Sequence, residues 1–201
     1  MENLNIALIG CGMIGREHIE RIQNRIRNAK VVAVCDVFEE GAKKGAEIAG
    51  AGTKVYTDFN EAINDPDVNA VVVTTPGQFH KGPVLAAIKA GKPVFSEKPL
   101  ANTAADGKEI VEAEMAGGKH LVQVGFMRRY DHSYQVAKKK MENGDIGDVI
   151  LVRCYSQDPI SIIEGTLEYA PRSGGQFIDM SIHDFDLIRW LTGSEVKELW
   201  A

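Results

Sequence analysis

Three groups of residues in this 201-residue chain have the types and spacing for chemistry. Gly10-Cys11-Gly12-Met13-Ile14-Gly15 fits G-x-G-x-x-G, and Asp36 follows about 20 residues later. Gly10 allows a tight turn, Gly12 lets a pyrophosphate approach the backbone, and Gly15 lets a helix pack closely on a strand. The helix N-terminus beyond them offers free N–H groups and a positive dipole end to phosphates. Asp36 is placed to accept from the two adenosine-ribose hydroxyls and to repel a 2′-phosphate. The spacing therefore predicts a dinucleotide site selective for NAD over NADP.

The second group is Ser96-Glu97-Lys98-Pro99-Leu100, directly after an apolar run. In an open α/β sheet the ligand crevice lies outside the carboxyl ends of the strands. Pro99 biases Lys98 away from helix and fixes the backbone beyond it. The third group is Asp179 and His183, spaced i, i+4 on a predicted helix, where both fall on one face. Oxidation of an alcohol by hydride transfer needs a base for the hydroxyl proton, and histidine suits that near neutral pH. A carboxylate orients the imidazole and a nearby ammonium steadies a developing alkoxide. Lys98, Asp179 and His183 are thus the predicted catalytic set. Asp184 and Asp186 beside His183 suggest a metal alternative, but Asp184 points off the Asp179/His183 face and no further His/Cys cluster supports it. No metal is expected.

Apolar strands alternate with helical patterns over the first 124 residues, the signature of a parallel sheet with helices on both faces. Strands are predicted near 4–9, 30–36, 54–56, 70–74, 93–96 and 120–124. Helices are predicted near 14–27, 39–49, 58–64, 80–90 and 103–117. This is an α/β, doubly wound, Rossmann-type domain over 1–124. Residues 125–201 read as the start of a second, α+β domain for substrate binding and oligomerisation. In it a helix is predicted over 131–143, a strand over 148–155, a loop over 158–173, and one helix from Gly174-Gly175 to Leu191. A further strand is predicted to start near Glu195. One strand and a fragment of another are too few to cover the helix faces, so this domain is expected to be a truncated part of a longer one.

Composition bounds the rest. Hydrophobic residues make up 44% and charged residues 25%, with a net charge of −5. Such a chain has no electrostatic footprint for nucleic acid or an anionic membrane surface. Lys138-Lys139-Lys140 reads as a solvated helix face. No apolar stretch reaches membrane-spanning length. Cys11, Cys35 and Cys154 are unclustered, which fits a reducing, cytoplasmic setting. His18 and His80 are read as packing or supporting residues, and His120 and His132 as structural.

Taken together, these motifs resemble the glucose–fructose oxidoreductase/inositol dehydrogenase family. The carrying residues are Gly10 to Gly15, Asp36, Thr74-Thr75-Pro76-Gly77-Gln78-Phe79-His80, Glu97-Lys98-Pro99-Leu100-Ala101, and Gly174-Gly175 leading to Asp179 through Asp186. Val122 to Asp131 and Asp158-Pro159 are most similar to the inositol branch. Gly77 replaces the Asn common in relatives, and Gln157 stands where relatives often have Arg. The resemblance implies an NAD-dependent oxidoreductase acting on a secondary alcohol of a cyclic polyol. It points first to myo-inositol giving the 2-ketone, and otherwise to another inositol isomer or a pyranose; a non-catalytic NAD-binding sensor or an inactive fragment is the rival reading. It implies Lys98 touching the reacting hydroxyl, a cis peptide before Pro99, and His183 as base beside Asp179. Met127 and Arg128 would lie near the nicotinamide, with Arg128 and Asp158 also at the substrate. The implied cofactor set is Gly10, Cys11, Gly12, Met13, Ile14, Gly15, Asp36, Val37, Thr74, Thr75, Pro76, Gly77, His80, Glu97, Lys98, Met127 and Arg128. A homo-oligomer, a tetramer by resemblance, assembled through the C-terminal sheet is also implied.

Overall fold

The computed structural model describes residues 3–200. It falls into two compact units that divide between Gly125 and Phe126.

The first unit alternates strands and helices: β1 (Leu4–Ile9), α1 (Met13–Arg25), β2 (Ala29–Cys35), α2 (Glu39–Ala49), β3 (Lys54–Tyr56), α3 (Phe59–Asn64), β4 (Ala70–Val73), α4 (Lys81–Lys89), β5 (Val94–Ser96), α5 (Ala104–Ala116) and β6 (Val122–Val124). The strands pair in the order β3-β2-β1-β4-β5-β6, and every pairing is parallel. The chain winds outward from β1 in one direction and then, from β4, in the other. That reversal defines the doubly wound fold and puts its switch point between β1 and β4. All four residues of β4 are buried, as expected for a central strand covered on both faces. One core lies among Ile9, Ile63, Val71, Val73, Val84 and Ile110. The other lies among Leu8, Ile19, Ile22, Val34 and Val72. Successive residues of one strand thus serve opposite faces, the period-two rule of a pleated chain.

Local signals set the helix starts. Asp58 caps α3 by accepting the Asn60 N–H, and Thr103 caps α5 by accepting that of Asp106. Lys81 reaches Asp106 at 2.7 Å and ties α4 to α5. At the sheet edge, Asp65 receives the Lys54 ammonium at 2.7 Å, the Tyr56 hydroxyl at 2.5 Å and the Asp67 N–H at 2.8 Å.

The second unit contains α6 (His132–Glu142), α7 (Ile163–Tyr169), α8 (Gln176–Asp179) and α9 (Ile182–Thr192), with single 3-10 turns before α6 and around α7. Asp131 caps α6 through the Ser133 and Tyr134 N–H groups. Gly193 ends α9 at φ 65°, a left-handed position suited to glycine.

Sequence expectations fail here in four places. The strand expected over 148–155 does not form, and Ile150 and Leu151 are 97% and 73% exposed. An alternating pattern needs a ladder partner, and none lies beside it among the described residues. The same holds for the strand expected from Glu195, of which residue 201 lies outside the described part. The loop expected over 158–173 contains α7. The helix expected from 174 to 191 is broken at Met180-Ser181. There the Ser181 N–H reaches back to the Gln176 carbonyl at 3.0 Å, and the Asp184 N–H reaches only to Ser181 at 2.9 Å. The i, i+4 ladder is lost between these two bonds. Lys138 is also no free surface charge: it lies 5.9 Å from the Trp190 ring centroid and donates to the Leu191 carbonyl at 3.3 Å.

Candidate active site

The glycine turn is built as its residue types require. Gly10 has φ 101°, and a Cβ there would lie 2.6 Å from the Thr75 nitrogen. A Cβ on Gly15 would sit 1.9 Å from the Gly10 carbonyl oxygen. Gly12 is different: a Cβ would meet nothing within 4 Å. Its lack of a side chain serves no internal packing and leaves the backbone open on that side. α1 begins at Met13, and the Arg16 N–H donates back to the Gly12 carbonyl at 3.0 Å. The Met13 and Ile14 amides precede it, at the positive end of the helix.

Asp36 closes the turn. Its Oδ2 accepts the Cys11 N–H at 2.8 Å and its Oδ1 accepts the Phe38 N–H at 3.0 Å. Each carboxylate oxygen keeps acceptor capacity beyond these bonds. Val37 and Phe38 beside it are 79% and 76% exposed. Thr74 donates to the Gly10 carbonyl at 2.6 Å, locking β4 to the turn. Thr75 Oγ1 is buried and has no hydrogen-bond partner among the described residues, an orphan hydroxyl at the carboxyl end of β4. Open space at Gly12, the half-used Asp36 carboxylate and this hydroxyl together fit a dinucleotide across the switch point. Cys11 and Cys35 are buried here. Burial, then the Asp36 charge, pushes both thiols up to about 12, so both stay protonated and inert.

Lys98 follows β5, and the Lys98–Pro99 peptide is cis, as the resemblance implied. Gly77 makes room for that proline, since a Cβ would lie 2.9 Å from Pro99 Cγ. His80 is 1% exposed, with Nδ1 2.7 Å from the Pro99 carbonyl and Nε2 2.6 Å from that of Thr75. Burial pushes its pKa down. Glu97 accepts the Lys98 N–H at 3.2 Å and lies 2.8 Å from His18 Nε2. Burial acts to raise the Glu97 pKa, but the hydrogen bond and charge of His18 outweigh it and hold the carboxyl below its usual range.

Asp179 and His183 belong to the second unit. Asp179 ends α8 and His183 is the second residue of α9, so they do not share one regular helix face. The acids after His183 do the anchoring. Arg128 pairs with Asp184 and donates to Ser156 Oγ at 2.9 Å, while Ser156 donates to Asp184 at 2.7 Å. Arg129 grips Asp186 in bidentate fashion at 2.8 and 2.5 Å and lies 5.9 Å from the Phe126 ring centroid. The His183 ring meets the same Phe126 edge-on, 6.5 Å between centroids. Two consecutive arginines thus hold two acids two positions apart, both on α9 just after His183. The Arg128 guanidinium, expected at the polyol, is engaged by Asp184 and Ser156. With those acids engaged, no cluster of three or more metal-ligating side chains occurs among the described residues. Met127 and Asp158 are exposed. A groove of about 660 Å³ within the second unit is lined by Lys138, Val149 to Val152, Leu191 and Val196, and none of the catalytic candidates borders it.

Ser156 is a site-building residue that sequence reasoning missed; it took His18 as a packing or supporting residue and weighed Asp184 and Asp186 only as a metal alternative. Glu97 and His18 lie 79 positions apart, and only the parallel order of the sheet brings them together.

A doubly wound sheet with an open glycine turn, an acid directly after β2 and a lysine after β5 defines a dinucleotide-binding oxidoreductase fold. The model of the oxidoreductase family with an NAD-binding Rossmann fold, GFO/IDH/MocA, matches residues 4–126, and that of the family's C-terminal domain matches 134–201. The chain belongs to this family. Inositol 2-dehydrogenase of Azotobacter vinelandii is 45% identical over 188 residues, covering 94% of this chain and 54% of the relative. That of Klebsiella pneumoniae is 40% identical over 197 residues, covering 98% and 57%. The scyllo-inositol dehydrogenase of Lactobacillus casei with bound NAD(H) and scyllo-inositol superposes with a TM-score of 0.88 at 35% identity, covering 96% of this chain and 57% of that one. The chain spans about half the length of the curated relatives it matches. Among the described residues, no helix is long and apolar enough to cross a membrane.

Proposed function

We propose that this protein is an NAD-dependent dehydrogenase that oxidises a secondary alcohol of a cyclic polyol, myo-inositol to its 2-ketone first. The observation that carries the reading is the cradle at Gly12 together with an intact Lys98, Asp179 and His183. The relatives named inositol 2-dehydrogenase support the substrate class. Another inositol isomer is the second reading, favoured by the neighbour that holds scyllo-inositol; a pyranose is the third. When bound, NAD supplies the nicotinamide carbon that accepts the hydride. Gly10 to Gly15, Asp36, Val37, Thr74 to Gly77, His80, Glu97, Met127 and Arg128 hold and frame it. His183 takes the hydroxyl proton, Asp179 steadies the resulting imidazolium, and Lys98 stabilises the oxygen as negative charge develops. Arg128 and Asp158 complete the polyol side. An engaged arginine keeps a fixed direction for its remaining donors.

The same reading takes residues 1–124 as the cofactor domain and 125–201 as part of the substrate domain. Assembly is as a homo-oligomer in the cytoplasm. Exposed Ile150, Leu151 and Tyr155 in the second unit support assembly, and three unclustered free cysteines support a reducing compartment.

The test is NADH formation by the purified protein across myo-, scyllo- and chiro-inositol and glucose, with NADP as control. Turnover of an inositol with NAD is expected. NAD binding with no turnover of any polyol would contradict the reading for this chain and favour a sensor or an inactive fragment.

A further inference from the structure

The turn that carries Lys98 is flanked on both sides by histidines to which the proposed chemistry gives no proton-transfer role. On one flank, His18 projects from α1, one turn beyond Gly15. Its Nε2 lies 2.8 Å from Glu97 Oε1, and Glu97 Oε2 accepts the Lys98 N–H at 3.2 Å. The His18 ring is itself fixed edge-on against Phe95 of β5, with centroids 5.6 Å apart. On the other flank, the His80 ring lies between two carbonyls, Nδ1 2.7 Å from that of Pro99 and Nε2 2.6 Å from that of Thr75, and the neutral ring has one N–H to donate between them. It therefore joins the loop after β4 to the loop after β5. Both imidazoles are well shielded, at 18% exposure for the His18 side chain and 1% for His80. Glu97 is fixed at its backbone too, its N–H donating to the Val73 carbonyl at 2.9 Å.

We propose that His18 and His80 are positioning residues for Lys98, His18 acting through the Glu97 carboxylate and His80 through the Pro99 carbonyl. His18 sits on the helix that begins at the glycine turn, and His80 binds Thr75 of the β4 loop. The backbone of Lys98 is thereby referenced to the same two segments that frame the dinucleotide. A lysine on an unsupported turn would sample many positions. One held on both sides keeps its ammonium in register with the cofactor. The effect on turnover rests on the dehydrogenase reading above; the effect on the Lys98 backbone does not.

The test uses protein labelled with 15N-lysine, with the Lys98 amide resonance identified by its loss in Lys98→Arg. His18→Leu is expected to shift that resonance. It should also lower kcat by about 10- to 100-fold, the scale of a misplaced reacting group, with KM for NAD within about twofold. His18→Gln restores a donor toward Glu97 and is expected to return the resonance and most of kcat. His80→Gln, which replaces the ring between the two carbonyls by a flexible amide, is expected to shift the same amide. An unmoved Lys98 amide in both His18→Leu and His80→Gln overturns the proposal. A shifted amide restored by His18→Gln, in a protein that turns over no polyol, upholds the positioning and contradicts the dehydrogenase reading instead.

Discussion

Asp36 Oδ2 accepts the Cys11 N–H at 2.8 Å, so the acid assigned to the ribose also fastens the glycine turn. One residue shapes the cradle and lines it. Asp36→Ala should therefore do two things: weaken NAD binding at least about tenfold, and destabilise the first unit by about 1–3 kcal/mol through lost charge-assisted bonds. NAD titration and denaturant unfolding of the same variant check both. Weakened binding at unchanged stability would mean that the Cys11 bond contributes nothing to the fold.

Gly12 and Gly15 should separate binding from folding. A Cβ at Gly12 meets nothing, and its φ of −68° suits any residue. Gly12→Ala should keep wild-type stability and lose NAD affinity. A Cβ at Gly15 lies 1.9 Å from a backbone oxygen, which no rotamer change can relieve. Gly15→Ala should cost about 3 kcal/mol or more, in the range of severe core overpacking. Thermal melts with and without NAD read the contrast directly.

Acid sensitivity should centre on Asp65. Burial acts to raise its pKa, but the Lys54, Tyr56 and Asp67 hydrogen bonds overcome that and hold it at about 2, against 3.8 for the free group. A carboxyl with a folded pKa below its unfolded value stabilises the protein above the unfolded value. That stability is lost as pH falls from about 4 to about 2. The shift corresponds to roughly 2 kcal/mol. Asp65→Asn should remove much of the stability loss across this window, which pH-dependent unfolding of the two proteins measures.

In the second unit the Arg129–Asp186 pair should matter more than an exposed ion pair. The Asp186 side chain is 6% exposed and held by two guanidinium bonds. Asp186→Ala leaves a half-buried guanidinium without its partner, at a cost of about 3 kcal/mol. It should also loosen α9 and with it His183. Hydrogen exchange of α9 amides in the variant gives the readout: faster exchange confined to 182–192 is expected, and unchanged exchange would show that the clamp does not hold the helix.

Local signals made the first unit legible. Ile6 to Ile9, Val31 to Cys35 and Ala70 to Val73 are apolar runs between glycine, proline and cap residues, and their alternation with helical patterns dictates a parallel sheet. Gly10, Gly12, Gly15 and Asp36 could be read because each has a separate backbone reason to be there. The second unit was less legible because its structure depends on partners distant in sequence. Val149 to Tyr155 has a strand's alternation but no ladder beside it among the described residues. The helix through Asp179 and His183 looked continuous by spacing, yet the chain turns at Met180-Ser181. Beyond that turn, α9 is held by Arg128 and Arg129, more than fifty positions away. Propensity cannot announce such pairs, nor the reach of His18 to Glu97.

The central claim is that Lys98 and His183 serve a hydride-transfer reaction on a cyclic polyol. The most direct measurement incubates the protein with NAD and myo-inositol carrying deuterium on the reacting carbinol carbon, and follows both the rate and the mass of the NADH formed. NADH bearing the deuterium, formed by the wild type and reduced at least about a hundredfold in Lys98→Ala and in His183→Ala, is the expected result. Unlabelled NADH, or deuterium transfer that survives both substitutions, would contradict it.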